Sequence, residues 1–289
     1  MIRNNTGSWV AFRKPNPRAT IRLFCFPYAG AGAALFRSWM EKLPESIEVC
    51  PVELPGRGQR ILERPFDRIS PLVDALHAGL LPYLDKPFAL FGHSLGALVG
   101  FEIARVLQER DGRTADHLFV SGCRAPHVRE VKSRYSELTD EEFIRELQHL
   151  NGTPGEVLAD DELMELILPT LRADFAVCER YDYVADRPLS IPITSFGGSE
   201  DTMVKPEHIE PWRELTTGPF SLQVLRGDHF FMNRSESELL GSISNTLCPM
   251  QERRMSESPA VTGFEEGRRT SGPQNQISFA VGGQPNGRS

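Results

Sequence analysis

Ser94 is the residue of this chain whose surroundings most clearly predict chemistry. It lies in the pentapeptide GHSLG at positions 92–96, which fits G-x-S-x-G between an apolar run, Phe88–Phe91, and a helical pattern, Leu95–Glu109. On a tight turn from strand to helix, a serine exposes its hydroxyl, and the N–H of the following Leu95 is free to face an anionic oxygen. The pattern predicts a nucleophilic serine with Leu95 as an oxyanion donor. The alternative is a glycine-rich turn whose serine only caps the helix.

A nucleophilic serine needs a base, because a free hydroxyl forms almost no alkoxide at neutral pH. Among the seven histidines, His229 is predicted to be that base. It follows the apolar run Phe220–Leu225 in the last loop between a strand and a helix, and such loops converge on the turn that carries the serine. His93 is predicted to be structural, because its side chain diverges from the hydroxyl across the turn. Packing or surface roles are predicted for three others: His77, His117 and His149.

The base in turn needs an acid that orients it and stabilises its charged form. Asp201 follows the apolar run Ile191–Phe196 and precedes His229 by one unit of strand, helix and strand. Glu200 is the rival acid, and Asp228, next to the base, is expected to shape the loop. With Asp201 the order is serine, aspartate, histidine, which is the order of the α/β-hydrolases.

A second oxyanion donor is predicted in the loop after the first strand, which reads FPYAGAGA at positions 26–33. Its small residues let the backbone approach a substrate closely, and the N–H of Ala29 is the expected donor. A phosphate-binding glycine loop is the competing interpretation, but Leu35 stands where G-x-G-x-x-G requires its third glycine. The dispersed His and Cys residues show no metal-ligand spacing, so neither a metal nor a cofactor is expected.

The elements that would position these residues alternate between strands and helices. Strands are predicted at Ile21–Phe26, Ile47–Val52, Phe88–Phe91, His117–Ser121, Ile191–Phe196 and Phe220–Leu225, and helices at Ala33–Leu43, Pro71–Leu84, Leu95–Glu109, His208–Leu215 and Ser235–Thr246. Most of the strands are continuously apolar, as in a parallel sheet that is buried on both faces. The alternation predicts a mostly parallel, doubly wound α/β sheet.

Residues 124–186 interrupt this alternation with amphipathic helical segments. Thr139 and Glu142 fit a capping box at the start of one of them. An insertion after a strand lies above the carboxyl ends of the strands, where open α/β sheets bind ligands. We therefore expect a helical lid over the site; the alternative is a subdomain that does not move.

Composition limits the kinds of partner, the cellular location and the domain organisation that the chain can have. The 289 residues are 40% hydrophobic and 25% charged, with a net charge of −7, which argues against nucleic acid as the partner. Neither an apolar run long enough to span a membrane nor a secretory signal is evident, and five scattered cysteines fit a reduced, cytoplasmic protein. The expected domain covers residues 1–249. Residues 250–289 are polar and aperiodic and predict a disordered tail.

Four blocks carry a family resemblance: LFCFPYAGAG at positions 23–32, ELPGRG at 53–58, GHSLGA at 92–97 and GDHFF at 227–231. Together they resemble the type II thioesterases of polyketide and non-ribosomal peptide synthases, which are stand-alone α/β-hydrolases, and the resemblance to the rifamycin-type group is strong. The ELPGRG block is the specific one, since lipases and general esterases do not usually carry it there. Tyr28 stands where many members have histidine, and the resemblance spans about residues 8–248.

The resemblance implies an enzyme that hydrolyses aberrant short acyl groups from the phosphopantetheine arms of acyl or peptidyl carrier domains. Carrier domains are generally acidic, so docking is expected at a basic cluster near the start of the insertion: Arg124, Arg129, Lys132 and Arg134. The alternative is that this cluster is an ordinary charged surface in contact with solvent and binds no partner. Three other functions stay open: an oxygen-ester esterase or lipase, an acyl-transferring enzyme of chain release, and a carrier-binding protein without activity.

Overall fold

Six strands of the described chain form one sheet in which every neighbouring pair is parallel. The computed structural model describes residues 8–128 and 134–257, with the backbone alone for 251–257. The strands are β1 Ile21–Phe26, β2 Ile47–Pro51, β3 Phe88–His93, β4 Leu118–Ser121, β5 Ile193–Gly198 and β6 Phe220–Leu225, in the order β2-β1-β3-β4-β5-β6. The strand order reverses between β1 and β3, and open α/β sheets bind ligands at such a point.

Helices pack on both faces of the sheet, and this explains the continuously apolar strands. The α-helices are α1 Trp39–Lys42, α2 Ile69–Leu80, α3 Leu95–Arg110, α4 Asp140–Leu150, α5 Gly155–Leu158, α6 Asp161–Glu179, α7 Pro206–Ile209, α8 Phe231–Arg234 and α9 Glu236–Glu257. Phe24 and Phe26 of β1 lie in a core with residues of α2 and α3. Leu23 and Cys25 lie in a second core with residues of α1 and α9.

The six predicted strands are present, with small differences at their ends. β3 continues to His93, because Gly92 and His93 pair with β4. β5 begins at Ile193 rather than Ile191, and Pro192 immediately before it has no N–H to donate to a neighbouring strand.

Two predicted helices are broken by tighter turns. The segment predicted as a helix over Ala33–Leu43 forms a 3-10 turn, Ala33–Phe36, and then the short α1. The helix predicted at His208–Leu215 begins at Pro206 as α7 and continues as a 3-10 helix over Glu210–Leu215. Pro211 lies near the start of the 3-10 helix. A proline has no N–H to donate the hydrogen bond that continues an α-helix, and this explains why α7 ends there.

The insertion between β4 and β5 contains α4, α5 and α6, and the described part of 124–186 contains no strand. The predicted capping box is confirmed: the Glu142 N–H donates to Thr139 Oγ1 at 3.3 Å, and the Thr139 N–H donates to Glu142 Oε2 at 3.0 Å. The insertion also has an apolar cluster of its own: Phe143, Leu147, Met164, Leu168 and Leu171. Movement of this lid stays a prediction.

The C-terminal helix is longer than predicted. α9 continues through Pro249 to Glu257 and therefore includes the first residues of the segment expected to be a disordered tail. Residues 258–289, the rest of that expected tail, lie outside the described residues.

Candidate active site

The turn between β3 and α3 holds Ser94 in a backbone conformation that few residues adopt. Its φ is 53° and its ψ is −117°. A residue held in such a region costs about 1–3 kcal/mol, and strain of this kind concentrates at functional sites. The Ser94 N–H donates to the Ser121 carbonyl at 2.8 Å, so the end of β4 holds the turn. Its side chain makes no capping hydrogen bond to α3, so the alternative of an ordinary capping serine is wrong.

The two glycines of the pentapeptide are required by close backbone contacts. A Cβ at Gly92 would lie 2.1 Å from the carbonyl oxygen of Gly96, across the turn. A Cβ at Gly96 would lie 2.1 Å from the carbonyl oxygen of Phe26, at the end of β1. The turn therefore packs directly on the loop that the sequence predicts to supply the second oxyanion donor.

His229 and Asp201 form a buried pair. The Nδ1 of His229 lies 2.8 Å from Asp201 Oδ2, and both residues are less than a tenth exposed. The other carboxylate oxygen of Asp201 accepts hydrogen bonds from the N–H groups of Met203 and Val204 at 2.8 and 2.9 Å. Three donors thus fix the carboxylate, and the carboxylate fixes the imidazole ring.

Opposing effects act on the acidity of Asp201. Burial alone raises the pKa of this carboxyl, but the hydrogen bond and charge of His229 and the two backbone N–H groups outweigh burial and lower it. An ionised carboxylate only accepts hydrogen bonds, so the proton between the two residues belongs to His229 Nδ1. When the imidazole is neutral, its Nε2 then carries the lone pair that a general base needs.

The rival carboxylates have other surroundings. Glu200 is exposed, and its carboxylate lies 3.6 Å from the guanidinium of Arg234. Asp228 accepts a hydrogen bond from the Phe230 N–H at 2.9 Å and so shapes the loop that carries His229. In the structure it is Asp201 that contacts the histidine.

His93 is fully buried beneath the turn. Its Nδ1 lies 2.9 Å from Ser121 Oγ, and its ring lies 5.3 Å from the ring of His229, centre to centre. Burial, followed by the neighbouring His229, lowers the pKa of His93 to about 3, so its imidazole is neutral at physiological pH. These contacts agree with the structural role predicted for this residue.

The two residues expected to supply the oxyanion donors, Ala29 and Leu95, line the cavity that Ser94 and His229 also line. The cavity measures about 750 Å³, within the usual range for small-molecule sites. Leu95 follows the serine at the start of α3, and Ala29 lies in the loop after β1. Among the described residues, neither of their N–H groups donates to a protein acceptor.

The insertion forms much of the cavity wall. Apolar lining comes from α3, α4 and α6: Leu98, Leu147, Leu150, Leu171 and Phe175. A polar portion is contributed by the segment after β4, by the last residue of α6 and by the segment that follows it: Arg124, His127, Glu179, Tyr181 and Asp182. A substrate therefore meets both an apolar and a polar wall within reach of Ser94.

The residues of the expected docking cluster have different surroundings in the structure. Arg124 lines the cavity, whereas Arg134 is exposed and lies 3.2 Å from the carboxylate of Glu137. Arg129 and Lys132 lie outside the described residues. A common docking face for the four side chains stays a prediction.

Asp174 is a residue beside the site that the sequence did not predict. It lies on α6, is 3% exposed, and binds both Arg57 and the Gly30 N–H. Arg57 belongs to the ELPGRG block, so the structure gives that block a role in joining the insertion to the loop after β1. The sequence carries one signal for it, an acidic residue spaced to lie on the same helical face as Thr170 and Leu171.

The described part of the chain shows neither a metal-binding cluster nor a membrane-spanning helix. Across 8–128 and 134–257, no group of three or more His, Cys, Asp and Glu side chains is arranged to hold a metal ion. No helix in that part of the chain is both long enough and apolar enough to cross a membrane.

The sequence has relatives in peptide-antibiotic pathways. Gramicidin S biosynthesis protein GrsT of Aneurinibacillus migulanus is 44% identical over 237 residues, which cover 82% of this chain and 93% of that protein. A protein of Brevibacillus parabrevis with the name linear gramicidin dehydrogenase LgrE is 42% identical over 242 residues, which cover 83% of this chain and 92% of that protein.

A solved structure and a family match agree with the architecture. RedJ, a thioesterase of the prodiginine biosynthetic pathway in Streptomyces coelicolor, has a TM-score of 0.77 at 40% identity, covering 84% of this chain and 96% of RedJ. These similarities confirm the predicted α/β-hydrolase fold and the resemblance to type II thioesterases; the rifamycin-type group stays a prediction. The thioesterase domain family matches residues 21–247. The chain therefore belongs to the thioesterase domain family.

Proposed function

We propose that this protein is an editing thioesterase that removes short acyl groups from the phosphopantetheine arms of carrier domains and so restores stalled polyketide or non-ribosomal peptide synthases. One observation carries the proposal: in a chain of the thioesterase family, a strained serine turn and the histidine of a buried aspartate–histidine pair line one cavity. Relatives and structural neighbours named for such pathways supply the substrate class.

The proposed mechanism assigns one step to each residue. His229 Nε2 accepts the proton of Ser94 as its Oγ attacks the thioester carbonyl, while Asp201 stabilises the imidazolium that forms. The N–H groups of Ala29 and Leu95 donate to the oxyanion of the tetrahedral intermediate. The C–S bond then breaks, and His229 returns the proton to the leaving thiolate. Water, activated by His229, finally hydrolyses the acyl-serine and frees the acid.

Nothing in this sequence of steps requires a cofactor, since the phosphopantetheine belongs to the partner. The partner is an acyl or peptidyl carrier domain, and neither nucleic acid nor a membrane takes part. We expect enzyme and carrier to meet in the cytoplasm. Homologues that act in synthase pathways support a carrier partner.

The dehydrogenase name of one relative does not fit the loop that would have to hold a dinucleotide. Such loops place a pyrophosphate on the N-terminus of a helix after the third glycine of G-x-G-x-x-G. Here the third position is Leu35, and a 3-10 turn, Ala33–Phe36, follows the loop.

The deciding experiment measures deacylation of acetyl- and propionyl-loaded carrier protein by intact mass, with the wild type and Ser94→Ala. A matched p-nitrophenyl ester is assayed beside it. Serine-dependent release that leaves a free phosphopantetheine thiol supports the proposal. Ester cleavage with an untouched carrier would favour an oxygen-ester esterase or lipase. Acyl transfer to a nucleophile other than water would indicate chain release, and no reaction with a fluorophosphonate would indicate a carrier-binding protein.

Docking of the carrier at the basic cluster is tested separately. The double variant Arg129→Glu with Lys132→Glu is expected to raise the KM for an acyl-carrier substrate and to spare a small thioester, because only the carrier presents an acidic surface. The measurement compares both KM values at low and moderate salt. Equal effects on the two substrates would mean that these residues do not contact the carrier.

A further inference from the structure

The lid helix α6 contacts the loop that carries the Ala29 oxyanion donor through one buried carboxylate. Asp174 Oδ2 accepts hydrogen bonds from the Gly30 N–H and from an Arg57 guanidinium nitrogen, each at 2.7 Å. Its Oδ1 accepts from the other terminal nitrogen of Arg57 at 2.8 Å. Both side chains of the pair are less than a tenth exposed. A bidentate, desolvated pair of this kind is geometrically specific.

Arg57 also binds the loop itself. One terminal nitrogen donates to the Ala31 carbonyl at 3.2 Å, while the remaining donors reach the Pro55 carbonyl at 3.2 and 3.3 Å. The N–H of Gly30 and the carbonyl of Ala31 are therefore both held by the Asp174–Arg57 pair. The residue before them is Ala29.

The restrained loop is a tight turn over residues 28–31, and its shape depends on the orientation of the peptide that joins Ala29 to Gly30. The Ala31 N–H donates to the Tyr28 carbonyl at 3.0 Å, and Gly30, at the third position, has a φ of 78°. This φ is typical of a type II turn, in which the central peptide is flipped relative to a type I turn. Asp174 holds the N–H of that central peptide and so selects the flipped arrangement. The direction of the neighbouring Ala29 N–H is set by the same turn.

The helix also packs on the turn sterically. A Cβ at Gly30 would lie 2.4 Å from Leu171 Cδ2, so α6 lies directly against the glycine. Thr170 Oγ1 donates to the Gly56 carbonyl at 2.7 Å, which joins α6 to a second turn that does not carry an oxyanion donor. Asp174 and Thr170 therefore anchor one helix to two turns, and only the first of these turns faces the reaction.

We infer that Asp174 is a positioning residue for catalysis. Through Gly30 and Arg57 it fixes the Ala29 N–H in the direction that the oxyanion requires. The placement of α6 is thereby linked to the rate at which Ser94 attacks the thioester. The inference rests on the proposed function, because it uses Ser94 as nucleophile and Ala29 as donor. Catalytic groups need placement within about 0.5 Å. A donor that is lost or turned away costs roughly 10²–10³-fold in kcat.

The test compares Asp174→Asn with Thr170→Val, its matched control on the same helix. Rates are measured on an acyl-carrier substrate and on a p-nitrophenyl ester, per active site titrated with a fluorophosphonate. Asp174→Asn is expected to lower kcat on both substrates by roughly 10–100-fold with little change in KM. Affinity for butylboronic acid, which forms a tetrahedral adduct with serine, is expected to fall by the same factor. Thr170→Val is expected to change neither kcat nor boronate affinity appreciably.

A second variant separates positioning from folding. Arg57→Met combined with Asp174→Leu replaces the buried pair with apolar side chains, a change that often preserves stability. Because the apolar pair avoids an uncompensated buried charge, we expect an unfolding temperature near the wild-type value. Because the Gly30 N–H loses its acceptor, we also expect the low kcat of Asp174→Asn. A stable double variant with wild-type kcat and boronate affinity would overturn the inference, as would equal effects of Asp174→Asn and Thr170→Val. If the wild type shows no Ser94-dependent hydrolysis, the proposed function itself fails.

Discussion

The serine turn at 92–96 and the helices α4 and α6 of the insertion line the same cavity, but different contacts hold them in place. In the turn the restraints are backbone contacts: glycines at 92 and 96 whose added Cβ atoms would each meet a carbonyl oxygen at 2.1 Å. The insertion is joined to the loop after β2 by side chains, through Asp174 with Arg57 and through Thr170 with the Gly56 carbonyl. The glycines of the turn therefore tolerate no added Cβ, whereas the placement of α6 depends on side-chain contacts between distant segments.

The largest effect is expected at Asp201, which contacts His229, the proposed base for the serine turn. Asp201→Asn is expected to lower kcat by about 10⁴-fold, because a neutral amide neither fixes the Nδ1–H tautomer of His229 nor stabilises the imidazolium. Glu200→Gln is the matched control, since Glu200 is adjacent in sequence and exposed. Steady-state hydrolysis of the p-nitrophenyl ester measures both. Equal losses would mean that the pair observed in the structure is not the working pair.

The second prediction compares one glycine from each region. Gly96→Ala is expected to lower the free energy of unfolding by roughly 3 kcal/mol or more, because the backbone of Phe26 and Pro27 cannot move aside. Gly155→Ala, at the start of α5, meets nothing within 4 Å and is expected to raise the helix stability by about 0.5–1 kcal/mol. Chemical denaturation measures both variants, and similar values would contradict the contrast between turn and lid.

The third prediction concerns pH and the buried His93. Its pKa of about 3 in the folded protein is far below the ~6.5 of an unfolded histidine. The unfolded chain therefore binds a proton that the folded chain does not, and stability falls as the pH drops below ~6.5 toward 3. His93→Gln removes this contribution. Between about pH 6 and 4, its unfolding free energy is expected to fall less steeply than that of the wild type, by about 1.4 kcal/mol per pH unit. Parallel curves in urea titrations would show that His93 does not titrate in this way.

The smallest expected effect lies in the lid, at the capping box of α4. Thr139→Ala removes the acceptor of the Glu142 N–H and is expected to destabilise the helix by about 1 kcal/mol. Native-state hydrogen exchange is the measurement: amides of α4 are expected to exchange about five times faster, while those of α3 keep their rates. Faster exchange in both helices would mean that lid and sheet unfold together.

Local patterns were enough to predict the serine turn and the strands around it. Gly92, Ser94 and Gly96 lie within five positions, and their flanks are a buried strand and a helix, so the signal is contained in one short segment. His229 and Asp201 were also predictable, because each follows a recognisable strand and carboxyl ends of parallel strands meet at one edge of a sheet. The choice of Asp201 over Glu200 depended on which neighbouring side chain turns inward, and the observed contact with His229 supplies that information.

The sequence by itself determined the α/β architecture, the nucleophile turn and the order of serine, aspartate and histidine, because hydrophobic periodicity and glycine spacing act over short distances. Only the tertiary structure decided how the insertion meets the site. Asp174 and Arg57 are separated by 117 positions, and no local pattern relates them. Their pairing requires α6 to fold back over the loop after β1, and that placement depends on packing between distant segments of the chain.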